Sequence, residues 1–190
     1  MHNSGRLVRV FFRDGPHPSD WMDLRTEGPL PTGRFDHHRP GVTAGVMYLA
    51  SRSEPPMKMD AFSCALAETF QLQRVIDVTT RQPCVVWWTS TRPMYLLDLA
   101  SSWTSRAGGD QALCSGDRSA AQLWTRKIHT AFPTLDGLTW PSSIVGPGRS
   151  VAITERAKDA IPHRPDLLRP PSAGASSRPQ WRASCRGLSR

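Results

Sequence analysis

Between two prolines, residues 31–41 read PTGRFDHHRPG and gather Arg34, Asp36, His37 and His38 in a segment that neither a regular helix nor a long central strand can occupy. The forked donors of an arginine match phosphate oxygens in pairs, and the two histidines raise metal binding. Adjacent histidines diverge on extended backbone and chelate one ion poorly. The segment therefore reads as one wall of a pocket, with His37 and His38 bonded locally or at its rim, Asp36 as a turn residue, and no metal assigned. A second candidate is the acid of AFSCALAETF. On a helix, Phe62, Leu66 and Thr69 form one stripe, while Glu68 shares another face with Ala61, Cys64 and Ala65. One acid among small residues fits a solvent-facing glutamate, or a face that something approaches closely to meet a carboxylate. Cys64, Cys84, Cys114 and Cys185 lie far apart without a C-x-x-C pair, and read as buried or incidental thiols.

The elements that must position these residues can be read from pattern and punctuation. Short β-branched and aromatic runs predict strands at 7–12, 46–50, 74–78, 84–88, 94–99 and 150–154. Several lie too close together for crossover helices, which predicts an α+β fold with an antiparallel or mixed sheet. One helix is predicted from Asp60, as N-cap, to about Gln73. A second runs from near Ser119 to Ala131, with Leu123, Trp124, Ile128 and Phe132 as its apolar residues and Pro133 as its stop.

With 190 residues, 38% of them hydrophobic and seven tryptophans, the chain suits one packed domain despite 17 prolines and 14 glycines. The net charge of +8 is uneven: residues 164–190 carry six arginines against Asp166, or +5, leaving +3 for the rest. That end lacks apolar periodicity and is expected to be a disordered basic tail. Neither a signal peptide nor a run of the roughly 20 apolar residues needed to span a bilayer is evident, so a cytoplasmic protein is expected.

Four segments in order, GRFDHH at 33–38, GVMYLA at 45–50, ALAETF at 65–70 and FPTLDGLTWPSS at 132–143, followed by SVAITERA at 150–157, closely resemble the RES-domain family. That family is named for an arginine, a glutamate and a serine, and its characterised members are NAD-degrading toxins of bacterial toxin-antitoxin systems. The spacing of the segments looks most like an actinobacterial branch. The resemblance implies a domain at 6–163 with an ADP-ribosyltransferase-like split mixed sheet and flanking helices. It also implies cleavage of the nicotinamide–ribose bond of NAD, as substrate, with water or inorganic phosphate as acceptor and no prosthetic group. By motif it assigns catalytic roles to Arg34, Glu68 and Ser142. It places Arg9, Arg34, Tyr48 and Ser143 at the NAD, Ser143 as the alternative to Ser142. A helix-turn-helix antitoxin is the implied partner. Two other readings are kept beside it: nucleic-acid binding through the basic tail, and an inactive RES-like scaffold.

Overall fold

The computed structural model describes residues 2–3, 6–39, 41–51, 61–145 and 148–165. Its strands are β1 (His2–Asn3), β2 (Arg6–Phe12), β3 (Val46–Ser51), β4 (Pro83–Thr89), β5 (Met94–Asp98), β6 (Gly137–Pro141) and β7 (Arg149–Thr154). Its helices are α1 (Ala61–Thr69), α2 (Ser102–Arg106), α3 (Ala112–Ser115) and α4 (Arg118–Ala131), with a 3₁₀ helix at Glu155–Ala160. The strands form a mixed sheet ordered β1-β5-β6-β7-β3-β2-β4, in which β5 and β6 run parallel and every other neighbouring pair is antiparallel. The α+β class and mixed sheet expected from the sequence are found.

The sheet has a seam. β2 pairs with β4 along its length, from Arg6 opposite Thr89 to Phe12 opposite Pro83, and β3 pairs likewise with β7. Between β2 and β3, however, Leu7 faces Ser51 and Val8 faces Ala50, and the ladder goes no further. Side chains alternate across the two faces. One face gathers Leu7, Phe11, Met47, Leu49, Val86, Trp88, Val151 and Ile153, covered by Trp21 and by Ala157, Ala160 and Ile161 from the last turns. The other face carries two separate clusters. Val8 and Ala50 pack under Ala61, Cys64 and Ala65 of α1. Val46, Leu138, Trp140 and Ala152 pack under Leu113, Cys114, Ala121 and Ile128 of α3 and α4.

The structure corrects several expectations. Residues 74–78 form no strand: Arg74 has φ 53°, and the Asp77 carboxylate accepts from the amides of Thr79 and Thr80, so a turn leaves Val75 and Ile76 exposed. β6 was not anticipated. It is buried from Gly137 to Trp140, and a Cβ at Gly137 would run into the Ala152 carbonyl. α1 ends at Thr69 rather than Gln73, and its proposed cap, Asp60, lies outside the described residues. α4 is capped by Asp117, whose carboxylate accepts from the amides of Ser119 and Ala120. Its buried positions are Ala121, Gln122, Thr125 and Ile128, a stripe of small and polar residues, while Leu123 and Phe132 are exposed. α2 and α3 are too short for periodicity to reveal. No helix among the described residues is long and apolar enough to cross a membrane. Most of the expected 164–190 tail lies outside the described residues.

Candidate active site

The face of α1 made of small residues is the face that meets the sheet. Ala61, Cys64 and Ala65 are buried, whereas Phe62, Leu66 and Thr69 are half-buried. A Cβ on Gly148, just before β7, would lie 2.7 Å from the Cys64 sulfur, so the close approach requires small residues on both sides. The approach carries Glu68 to the end of β6. There the Ser142 hydroxyl donates to Glu68 Oε1 and accepts from the amides of Ile144 at 3.2 Å and Val145 at 2.9 Å. The turn behind β6 is closed by Ser142 N to Gly148 O at 2.8 Å. A hydroxyl has one proton and two lone pairs, and all are in use. Ser142 is thus a fixed prop for the carboxylate. Ser143 is exposed and takes no part in this set. Burial, reinforced by Glu68, pushes the neighbouring Cys64 thiol up to about 11, which keeps it protonated.

The 31–39 segment is anchored by Asp36, which is 0% exposed. Its carboxylate accepts from Arg25 Nη2 at 2.6 Å, the Tyr48 hydroxyl at 2.8 Å and the Leu30 amide at 2.8 Å. Gly33 has to be glycine, because a Cβ there would collide with this carboxylate. The Tyr48 hydroxyl also accepts from the Phe35 amide at 3.0 Å. Burial, then the Asp36 carboxylate, raises the Tyr48 pKa well above its usual value, so the phenol stays neutral. From the other side the Gln122 amide of α4 donates to the carbonyls of Leu30 at 2.8 Å and Gly33 at 2.7 Å. Phe35 and Tyr48 both pack on Trp140, with ring centroids 4.4 and 6.2 Å away.

This scaffold presents Arg34. Its guanidinium donates to the Gly116 carbonyl at 2.7 Å and the Ser115 carbonyl at 3.4 Å, at the end of α3. Its pKa is lowered, first by burial and then by Arg118, and Cys114, Glu68 and Tyr48 act in the opposite direction. Arg34 therefore lies within electrostatic reach of Glu68, Tyr48 and a second guanidinium, that of Arg118. Arg118 Nε is buried without a hydrogen-bond partner. Two cations that influence one another electrostatically are a pairing that could hold an anion.

The structure thus brings together Arg34, Tyr48, Glu68 and Ser142 where the α1 cluster and the α3–α4 cluster meet. Arg9 lies elsewhere. On β2 it shares a face with Leu7 and Phe11, the side of the sheet away from α1, donates to the Trp21 carbonyl at 2.5 Å, and is brought down by burial to about 10. Sequence reasoning missed Arg118, Gln122 and the structural role of Asp36. Arg118 follows Asp117, a cap residue, which was the one available signal. Among the described residues no cluster of His, Cys, Asp and Glu could hold a metal ion.

The RES domain profile matches residues 6–180. The chain belongs to the RES domain family. No curated protein is significantly similar to it in sequence. Among solved structures, it is similar to the crystal structure of the M. tuberculosis MbcT-MbcA toxin-antitoxin complex, at 18% identity with a TM-score of 0.53. That match covers 88% of this chain and 82% of that one.

Proposed function

We propose that the chain is a toxin that degrades NAD in the cytoplasm, breaking the bond between nicotinamide and ribose. The observation that carries this reading is the Ser142-held Glu68 carboxylate within electrostatic reach of Arg34. As the bond between ribose C1′ and the nicotinamide nitrogen breaks, both electrons pass to the positively charged ring. It leaves neutral and needs no acid. Positive charge grows on the ribose, and water, which gives up a proton to solvent, or inorganic phosphate then adds to C1′.

Such a reaction depends on placement and electrostatics. Glu68 sets its charge beside the developing cation, with Oε2 left to receive a ribose hydroxyl. Arg34 and Arg118 grip phosphate oxygens, whether of the dinucleotide or of an acceptor phosphate. Tyr48, its hydroxyl already spent on Asp36 and Phe35, offers a ring face to nicotinamide. Ser142 holds Glu68 and forms no covalent bond to the substrate. A helix-turn-helix antitoxin is the proposed partner, in keeping with a structural neighbour solved with its antitoxin. The test is nicotinamide release from NAD by the purified chain, with co-purification of the product of an adjoining gene as the test of the partner.

A further inference from the structure

We propose that a second copy of this chain pairs with the free edge of the sheet at β4, antiparallel and about a twofold axis at Val86. Among the described strands β4 ends the sheet and has β2 as its neighbour. Arg13 N donates to the Gln82 carbonyl at 3.2 Å, in the register that pairs Phe11 with Cys84 and Arg9 with Val86. Antiparallel bonds recur at every second pair, so Cys84, Val86 and Trp88 bond to β2. The N–H and C=O groups of Val85, Trp87 and Thr89 therefore point out of the sheet, and no backbone group among the described residues meets them. Such an edge is a template for another strand, and edges that stay single carry charges, bulges or an interior proline, or are very short. The opposite edge is of the last kind, since β1 has 2 residues. β4 has 7 residues, reads PCVVWWT without a charge, and places its proline first, at an outward position where the missing N–H removes no bond to β2.

The occupant follows from the strand's own sequence, which is complementary to itself. With the axis at Val86, Val85 of one copy lies opposite Trp87 of the other, a β-branched and aromatic pair of the kind that stabilises sheets. These two residues exchange hydrogen bonds in both directions, and the Thr89 N–H meets the Pro83 carbonyl of the second copy. No like charges face one another: Gln82 lies opposite Ser90, and Arg81 opposite Thr91. Arg6, whose guanidinium lies 4.4 Å from the Trp87 ring, belongs to β2 and is one strand removed from the new contact. Val85 and Trp87 are half-buried against the α1 cluster, and pairing covers more of both. The connection leading into β4 leaves Leu72, Val75, Ile76 and Val78 exposed, further apolar area for a neighbour at this edge. A twofold contact uses the same patch on both copies and closes at a dimer. One short strand from each copy is a small contact beside the roughly 800 Å² per partner of a stable complex, so association in the micromolar range is expected.

The experiment is sedimentation equilibrium of the full chain from about 1 to 300 μM, and the expected result is a reversible monomer–dimer equilibrium. Thr89→Pro removes an outward N–H at an exposed position and leaves every bond to β2 in place; Val85→Pro does the same within the strand. Each is expected to weaken dimerisation by about tenfold or more, with the near-ultraviolet circular dichroism of the wild type retained. Thr89→Pro carries the test if Val85→Pro does not fold. A chain that stays monomeric across the range, a dimer unchanged by Thr89→Pro, or growth beyond a dimer overturns the proposal. The result is independent of whether the chain cleaves NAD.

Discussion

The Ser142 hydroxyl donates to Glu68 Oε1 while two amides of its own turn donate to it, so that a loop after β6 fixes the direction of a carboxylate on α1. This makes Ser142 a positioning residue, with a separable signature. Ser142→Ala is expected to lower kcat for NAD cleavage by about 10–100-fold while leaving the chain folded, since a misplaced acid costs rate chiefly in the transition state. Ser142→Thr, which keeps the hydroxyl, should recover part of the loss. Steady-state kinetics of the two variants check this.

Arg34 should act mainly through binding. Lysine retains the charge but loses the planar fork that meets two oxygens at once. Arg34→Lys is therefore expected to raise KM for NAD by about tenfold or more with a smaller change in kcat. Arg118→Ala should shift KM the same way, and NAD titration of each variant separates the grip from the chemistry.

Asp36 underlies the whole loop, and its loss should appear as instability. Asparagine offers one acceptor oxygen where Asp36 has two, so either the Leu30 amide or the Arg25 and Tyr48 donors face an NH2 group instead; with Arg25 still 23% exposed, leaving such buried partners unmet costs roughly 1–3 kcal/mol. Asp36→Asn should show that loss in urea unfolding. Tyr48→Phe strands the Phe35 amide and one lone pair of Asp36, at a cost of ~1–3 kcal/mol. Gly33→Ala is expected to resemble Asp36→Asn, because the new methyl displaces the same carboxylate.

The histidines that first suggest a metal predict a pH effect instead. His129 and His37 lie against each other with ring centroids 5.0 Å apart and planes tilted by 45°. Burial lowers His129 from 6.5 to about 4, with His37 and Arg156 adding to the shift and Glu155 opposing it; burial also lowers His37. A base whose folded pKa lies below its unfolded one binds more protons when unfolded, so stability is complete above about 6.5 and falls as the pH drops toward 4. Melting temperatures across that window should decline in the wild type and decline less in His129→Gln.

How far the sequence was legible follows from the range of each signal. The α+β class, β2, β3, β4, β5, β7 and the centre of α4 were readable because alternation, β-branching and a proline stop are local properties. The 74–78 run has strand composition, yet a single Asx turn at Asp77 overrides it. β6 carries too little β-branched sequence to announce itself and exists because β5 and β7 leave room between them. Arg34, Glu68, Tyr48 and Ser142 were found as an ordered set of motifs. Their convergence depends on small residues, Cys64 against Gly148 and Gly33 against Asp36, whose importance appears only when two distant elements touch. Asp36 read as a turn residue because nothing in the sequence shows that Arg25 and Tyr48 would fold onto it.

The central claim is tested most directly by incubating folded wild-type chain and Glu68→Gln with NAD, with and without inorganic phosphate, and following nicotinamide release together with the sugar product. The account predicts release by the wild type, giving ADP-ribose with water as acceptor or ADP-ribose 1-phosphate with phosphate, and a loss of about 100-fold or more in Glu68→Gln. No release by folded wild-type chain under either condition, or equal release by Glu68→Gln, would contradict it.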